Sequence, residues 1–171
     1  MKLAGMPLGE SRLAAQLRIV VPEHQEDSLR REIGYKSALA ANGIPFDETL
    51  VLNGDFERNI AYEAMNKVLG NGRNVTFDAV FTGDDDAAIG VLKSLHEHSI
   101  RIPDDVSVIG FDDLGFAPFL NPPLTTVRAP TERVGQIATQ RLFDILENHA
   151  SDEVLILPTE IIYRRSCGCQ Y

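Results

Sequence analysis

The sequence predicts an α/β domain: a doubly wound parallel sheet with Rossmann-like layers. Three observations carry that prediction. Short apolar, β-branched runs alternate with segments of helical periodicity. The connections between them are short and carry turn residues. Polar residues follow the strands at one end, which is where open α/β sheets bind ligands.

Leu17 to Val21 reads as a strand stopped by Pro22, and Glu26 to Asn42 as a helix with Leu29, Ile33, Ala38 and Leu39 inward, closed by Gly43. Arg30 and Arg31 fall in the first turns of that helix, where a cation runs against the helix dipole. They are either solvated or include one ligand-facing arginine. Thr49 to Leu52 makes a second strand, and Asn53-Gly54-Asp55 turns into a helix with Ala61, Ala64, Met65, Val68 and Leu69 inward. Phe56, at the entrance of that helix, is either core or a flat apolar face for a sugar ring or a base. Gly70-Asn71-Gly72 breaks the helix, and Asp78 to Thr82 is the third strand. Gly83-Asp84-Asp85-Asp86 then opens a helix with Ala88, Ile89, Val91, Leu92 and Leu95 inward. One of the three aspartates caps it; the others are solvated, or one of them faces a ligand.

The stretch from Ile102 to Thr126 carries the fourth strand, Val106 to Phe111, which ends on the adjacent carboxylates Asp112 and Asp113. One of the pair can accept ligand hydroxyls, and one can tie down the loop that follows. After the Pro118, Pro122 and Pro123 descent, Thr125 to Val127 extends again. A helix starting at Pro130 and Thr131 has Val134, Ile137, Ala138, Leu142, Ile145 and Leu146 as its expected buried face. Val154 to Leu157 and Glu160 to Tyr163, separated by Pro158, complete the set of strands.

Composition narrows the function. A length of 171 residues suits one domain, and 44% apolar with 24% charged residues is ordinary for a globular protein. No apolar run approaches a membrane span, and the N-terminal residues lack a secretory h-region, so a cytoplasmic location and no membrane partner are expected. A net charge of -9 without a basic cluster repels phosphate backbones. Cys167 and Cys169 are too few for a disulfide framework or a four-ligand zinc site, so no metal and no cofactor are expected.

In this order the residues resemble the effector-binding core of the LacI/GalR family of bacterial transcription repressors, from about Leu17 to Cys169. The quoted pieces are IPDDVSVIGFDD with PPLTTVRAP, Arg31-Glu-Ile-Gly-Tyr35, Gly54-Asp-Phe56, Asp84-Asp-Asp-Ala-Ala-Ile-Gly90 and LPTEIIYRRSCGC. The resemblance implies a periplasmic-binding-protein-like type I half. Residues 17–120 and 154–169 would form the C-terminal subdomain, and residues 124–149 the crossover strand and helix of the N-terminal subdomain. It further implies effector contacts from Arg31, Phe56, Asp84 and Asp112, with Asp85 as the structural cap of its helix and Asp113 holding the loop.

The implied ligand is a small sugar-like or nucleoside-like effector that modulates DNA binding of the intact protein. DNA would be contacted only through a helix-turn-helix domain that has no counterpart in these 171 residues, as most of the first subdomain also has none. The uncovered face of the crossover helix points to a homodimer. Asp84 stands where the family usually has Asn, which adds negative charge and favours polyols or a cation. Other classes compete: a solute-binding protein of a transport system, a sensor fused to another output module, and a Mg²⁺-dependent phosphoryl-transfer enzyme. The last needs a lysine and a nucleophile at the strand ends, which offer Arg, Phe and Asp instead, and the four histidines show no catalytic spacing, so no catalytic residue is expected.

Overall fold

A computed structural model describes residues 16–20, 26–70, 77–147 and 154–169. The strands are β1 (Gln16–Val20), β2 (Val51–Asn53), β3 (Ala79–Phe81), β4 (Ser107–Phe111), β5 (Thr125–Arg128) and β6 (Glu160–Ile162). They form one sheet in the order β2-β1-β3-β4-β5-β6, parallel throughout except for β6, which runs antiparallel to β5. The helices are α1 (Glu26–Ala41), α2 (Arg58–Leu69), α3 (Asp85–Glu97) and α4 (Thr131–Leu146). The chain steps outward from β1 to β2 and then back across to β3. Right-handed crossovers therefore place α1 and α2 on opposite faces and create a switch point between β1 and β3.

The core lies between the sheet and the pair α2 and α3. Ala61, Met65 and Leu69 of α2 meet Ala88, Val91 and Leu95 of α3, over Val80, Val108 and Leu124. The two helices approach so closely that a Cβ on Gly90 would stand 2.1 Å from the Arg58 carbonyl oxygen. Hydroxyls buried in the sheet are satisfied by the closing segment. Ser166 Oγ donates to the Val108 carbonyl at 2.6 Å and accepts from Thr125 N at 2.8 Å, and Arg164 N donates to Thr125 Oγ1 at 2.8 Å.

Several elements differ from the sequence expectation. The Asp47 carboxylate accepts from Thr49 N and caps a 3₁₀ turn at Glu48–Leu50, so the second strand starts only at Val51. Thr125–Arg128, expected to travel with the crossover helix, sits inside the sheet between β4 and β6. In α1, Leu39 is buried, whereas Leu29 and Ile33 are exposed. No residue of α4 is buried, and Leu146 is 70% exposed. Val154 to Leu157 makes no strand and leaves Val154 and Ile156 exposed; only Glu160–Ile162 finds a partner. The expected stop at Val21-Pro22, the Asn71-Gly72 break and the end of the last helix at His149 lie outside the described residues.

The same substitution at two glycines should have opposite signs. Gly34, in α1, has nothing among the described residues within 4 Å of a built Cβ, so Gly34→Ala raises stability by about 0.5–1 kcal/mol through helix propensity. Gly90→Ala drives a methyl into a backbone carbonyl that cannot yield, and lowers stability by about 1–3 kcal/mol. Urea unfolding of the two variants measures both; equal effects would contradict the helix packing described.

Candidate functional site

The carboxyl ends of the strands converge around the guanidinium of Arg31, in the second turn of α1. One of its nitrogens, Nη1, donates to the Gly83 carbonyl oxygen at 2.9 Å, in the turn between β3 and α3. Its Cζ lies 4.1 Å from the ring centroid of Phe111 and 5.2 Å from that of Phe56, distances at which a cation is attracted by the ring face. One half-buried side chain thus touches the β2–α2 turn, the β3–α3 turn and the last residue of β4. Phe56 reaches this point from a tight turn: Asp55 and Phe56 have φ of 47° and 51°, and the Asn53 Oδ1 accepts from Asp55 N at 3.1 Å. Side chains other than glycine rarely adopt such angles, and strain of this kind collects at functional sites.

The three consecutive aspartates have three different jobs. Asp84 is the N-cap of α3, its carboxylate accepting from Ala87 N at 2.7 Å. This corrects the expectation that Asp85 caps the helix. Asp85 is instead fully buried and reaches away from the cap, accepting from Leu114 N at 2.8 Å and from Thr126 Oγ1 at 2.6 Å. Asp86 accepts from Arg58 N at 3.1 Å and Arg58 Nη2 at 2.6 Å, and so fastens the first turn of α2. Burial pushes the Asp84 carboxyl up to about 6; the Ala87 hydrogen bond opposes this, the charges of Asp112 and Asp86 add to it, and Arg31 counters it. Burial also raises Asp85, opposed by its bonds from Thr126 and Leu114.

At the end of β4, Asp112 and Asp113 have φ of 102° and 52°, which sends their side chains to different surroundings. Asp112 is exposed, with its backbone N–H donated to the Val127 carbonyl oxygen at 2.8 Å, and its charge acts on Asp84. The Asp113 side chain is only 7% exposed and is gripped by Arg164 at 2.6 Å and by Arg128 Nε at 2.7 Å. Burial alone would raise its carboxyl; the hydrogen bonds and charges of Arg164 and Arg128 outweigh that and hold it below the usual range.

Arg31, Phe56, Asp84 and Asp112 are therefore brought to one place, and the pair Asp85 and Asp113 turns inward beside them. Three residues enter that sequence reasoning had not singled out. Phe111 read as strand core, and Arg128 and Arg164 carry no local signal because their partner Asp113 lies 15 and 51 residues away. Among the described residues, no group of three metal-ligating side chains is positioned for an ion, and no helix is long and apolar enough to cross a membrane. Cys167 is buried and Cys169 half-buried; burial pushes the Cys169 thiol up to about 11.

Comparison with known proteins follows the same outline. The family model described as "Periplasmic binding protein-like domain" matches residues 12–167. The transcriptional regulator MalR of Clostridium butyricum is 33% identical over 134 residues, 78% of this chain and 39% of that protein. The ribose operon repressor of Escherichia coli is 31% identical over 157 residues, 92% of this chain and 46% of that protein. A solved structure, the transcriptional regulator CelR in complex with cellobiose, superposes with a TM-score of 0.82 at 35% identity, over 88% of this chain and 46% of that one. The chain spans less than half the length of these curated relatives.

Two measurements test the electrostatics. The Asp84 carboxyl titrates near 6 when folded and from an ordinary value of 3.8 when unfolded, so the folded state binds the extra proton in between and stability falls as pH rises through that window. Asp84→Asn keeps a capping side chain without the charge. Its melting temperature relative to wild type therefore increases from about pH 4 to about pH 7, and a flat difference would show an unperturbed carboxyl. Arg164→Ala leaves the Asp113 carboxylate with Arg128 as its remaining arginine and destabilises by about 1–3 kcal/mol in urea unfolding, part of which Asp113→Ala in the same chain restores.

Proposed function

Because this chain belongs to the periplasmic binding protein-like family, in the form carried by LacI/GalR-type transcription regulators, we propose that it is the ligand-sensing part of such a regulator. In this reading it binds a small sugar-like or nucleoside-like effector that modulates DNA binding of the intact protein. The observation that carries the reading is the convergence of Arg31, Phe56, Asp84 and Asp112 at the strand ends beside the switch point. A guanidinium and a carboxylate can each engage two adjacent hydroxyls through charge-assisted bonds, and an aromatic face covers the apolar side of a sugar ring or base. Arg31 has five N–H donors, of which, among the described residues, one goes to Gly83, so others can serve a ligand. The carboxylates of Asp84 and Asp112 disfavour an acidic effector and favour polyols or a cation.

Binding in the crevice acts by preferring one arrangement of the regulator over another, and so changes DNA affinity at a distance. The chain itself, at net charge -9, takes no direct grip on DNA; that contact belongs to a separate domain, in the cytoplasm. It performs no catalysis. The regulators named among its relatives favour this reading over a transport-type solute-binding protein. Self-association as a homodimer would cover the exposed apolar face of α4, which carries Leu142, Ile145 and Leu146.

A thermal-shift panel of neutral sugars, amino sugars and nucleosides tests the proposal. One class raises the melting temperature in a concentration-dependent way, and Arg31→Ala and Asp112→Ala each weaken that response at least about tenfold. A response of unchanged strength in both variants would place binding elsewhere and sink the reading.

A further inference from the structure

Arg31 and Phe56 cannot serve an effector equally well unless something else holds the arginine. A ring that offers its face to a ligand is occupied, and Arg31 lies against that ring at 5.2 Å. Arginine also carries a flexible stem with large rotamer entropy, and among the described residues its guanidinium makes a hydrogen bond only to Gly83, which fixes one nitrogen and not the plane of the group. The nearer ring is Phe111, 4.1 Å from Arg31 Cζ. The two rings differ in their mounting. Phe56 stands on a turn with two consecutive positive-φ residues, whereas Phe111 closes β4, paired in register with Val127 of β5 and followed by the Asp112 N–H bond to the Val127 carbonyl oxygen. Side chains on strands are placed more reproducibly than side chains on loops.

We propose that Phe111 is the positioning residue for Arg31: a fixed aromatic platform that orients the guanidinium toward the crevice and leaves Phe56 available to the effector. This rests on Arg31 being an effector contact, as proposed above. The alternative role for Phe111 is volume alone, which leucine supplies nearly as well. Only the aromatic face attracts a cation, so Phe111→Leu and Phe111→Tyr separate the two roles.

Nuclear magnetic resonance of the ligand-free chain reads the geometry directly. In wild type, the Arg31 side-chain protons show upfield ring-current shifts and cross-relaxation to the Phe111 ring. Phe111→Leu returns them toward unstructured values, and Phe111→Tyr keeps them shifted. Absence of Arg31–Phe111 cross-relaxation in wild type overturns the proposal without any variant having to fold, and so does an unmoved Arg31 spectrum in Phe111→Leu. In a cellobiose titration, Phe111→Leu binds about tenfold more weakly and Phe111→Tyr within the wild-type range. Loss of binding in Arg31→Ala with none in Phe111→Leu also overturns it. Unchanged cellobiose binding in Arg31→Ala instead counts against the effector reading, and the resonance measurement then decides the role of Phe111 alone.

Discussion

The seat of Asp85 is the constraint on which the rest of the structure depends. A fully buried carboxylate is costly unless its oxygens are satisfied, and here Leu114 N and Thr126 Oγ1 satisfy them. The oxygens fit only because residue 110 has no side chain: a Cβ there would lie 2.2 Å from Asp85 Oδ1. The start of α3, the end of β4, the loop after it and β5 therefore meet at one group. Helical geometry does the rest, since successive side chains in a first turn splay by about 100°. With the middle aspartate fixed into the sheet junction, Asp84 is left to cap α3 beside the crevice and Asp86 to fasten α2.

Around that seat, the crevice is built from backbone that other residues hold in unfavourable angles. Asp55, Phe56, Asp112 and Asp113 all have positive φ, and all lie just beyond a strand. The surroundings over-determine each of them. Asn53 and Gly54 close the first turn through bonds to Asp55 N and Glu57 N, while Thr126, Val127, Arg128 and Arg164 hold the second. The cost is met by hydrogen bonds and ion pairs outside the crevice, so the groups facing it need not be spent on holding the backbone.

How far the sequence could be read follows from the range of each interaction. Strands and helices were legible because period and turn chemistry are local, and the convergence of Arg31, Phe56, Asp84 and Asp112 follows from strand ends sharing one edge. Which of three equal aspartates caps α3 was not legible, since the choice is made by Gly110 and Thr126, far along the chain. Phe111 looks like any apolar strand residue until the arginine of another element is laid on it. Arg164 and Asp113 are joined only by the fold. Val154 to Leu157 has strand composition but finds no partner among the described residues, as expected where β-propensity depends on context. The periodicity of α4 reads as a buried face, yet none of its residues is buried, because no pattern in a sequence states what will cover such a face.

The antiparallel return of β6 has a mechanical meaning. Arg128 ends β5 and is the register partner of Glu160, which begins β6, so the excursion through residues 129–159 departs from and rejoins the sheet at a single doorway. One doorpost carries Arg128, whose guanidinium is already bonded to Asp113, the immediate neighbour of Asp112 in the crevice. Arg128 therefore ties the junction of β5 and β6, through Asp113, to the residue beside Asp112 at the crevice.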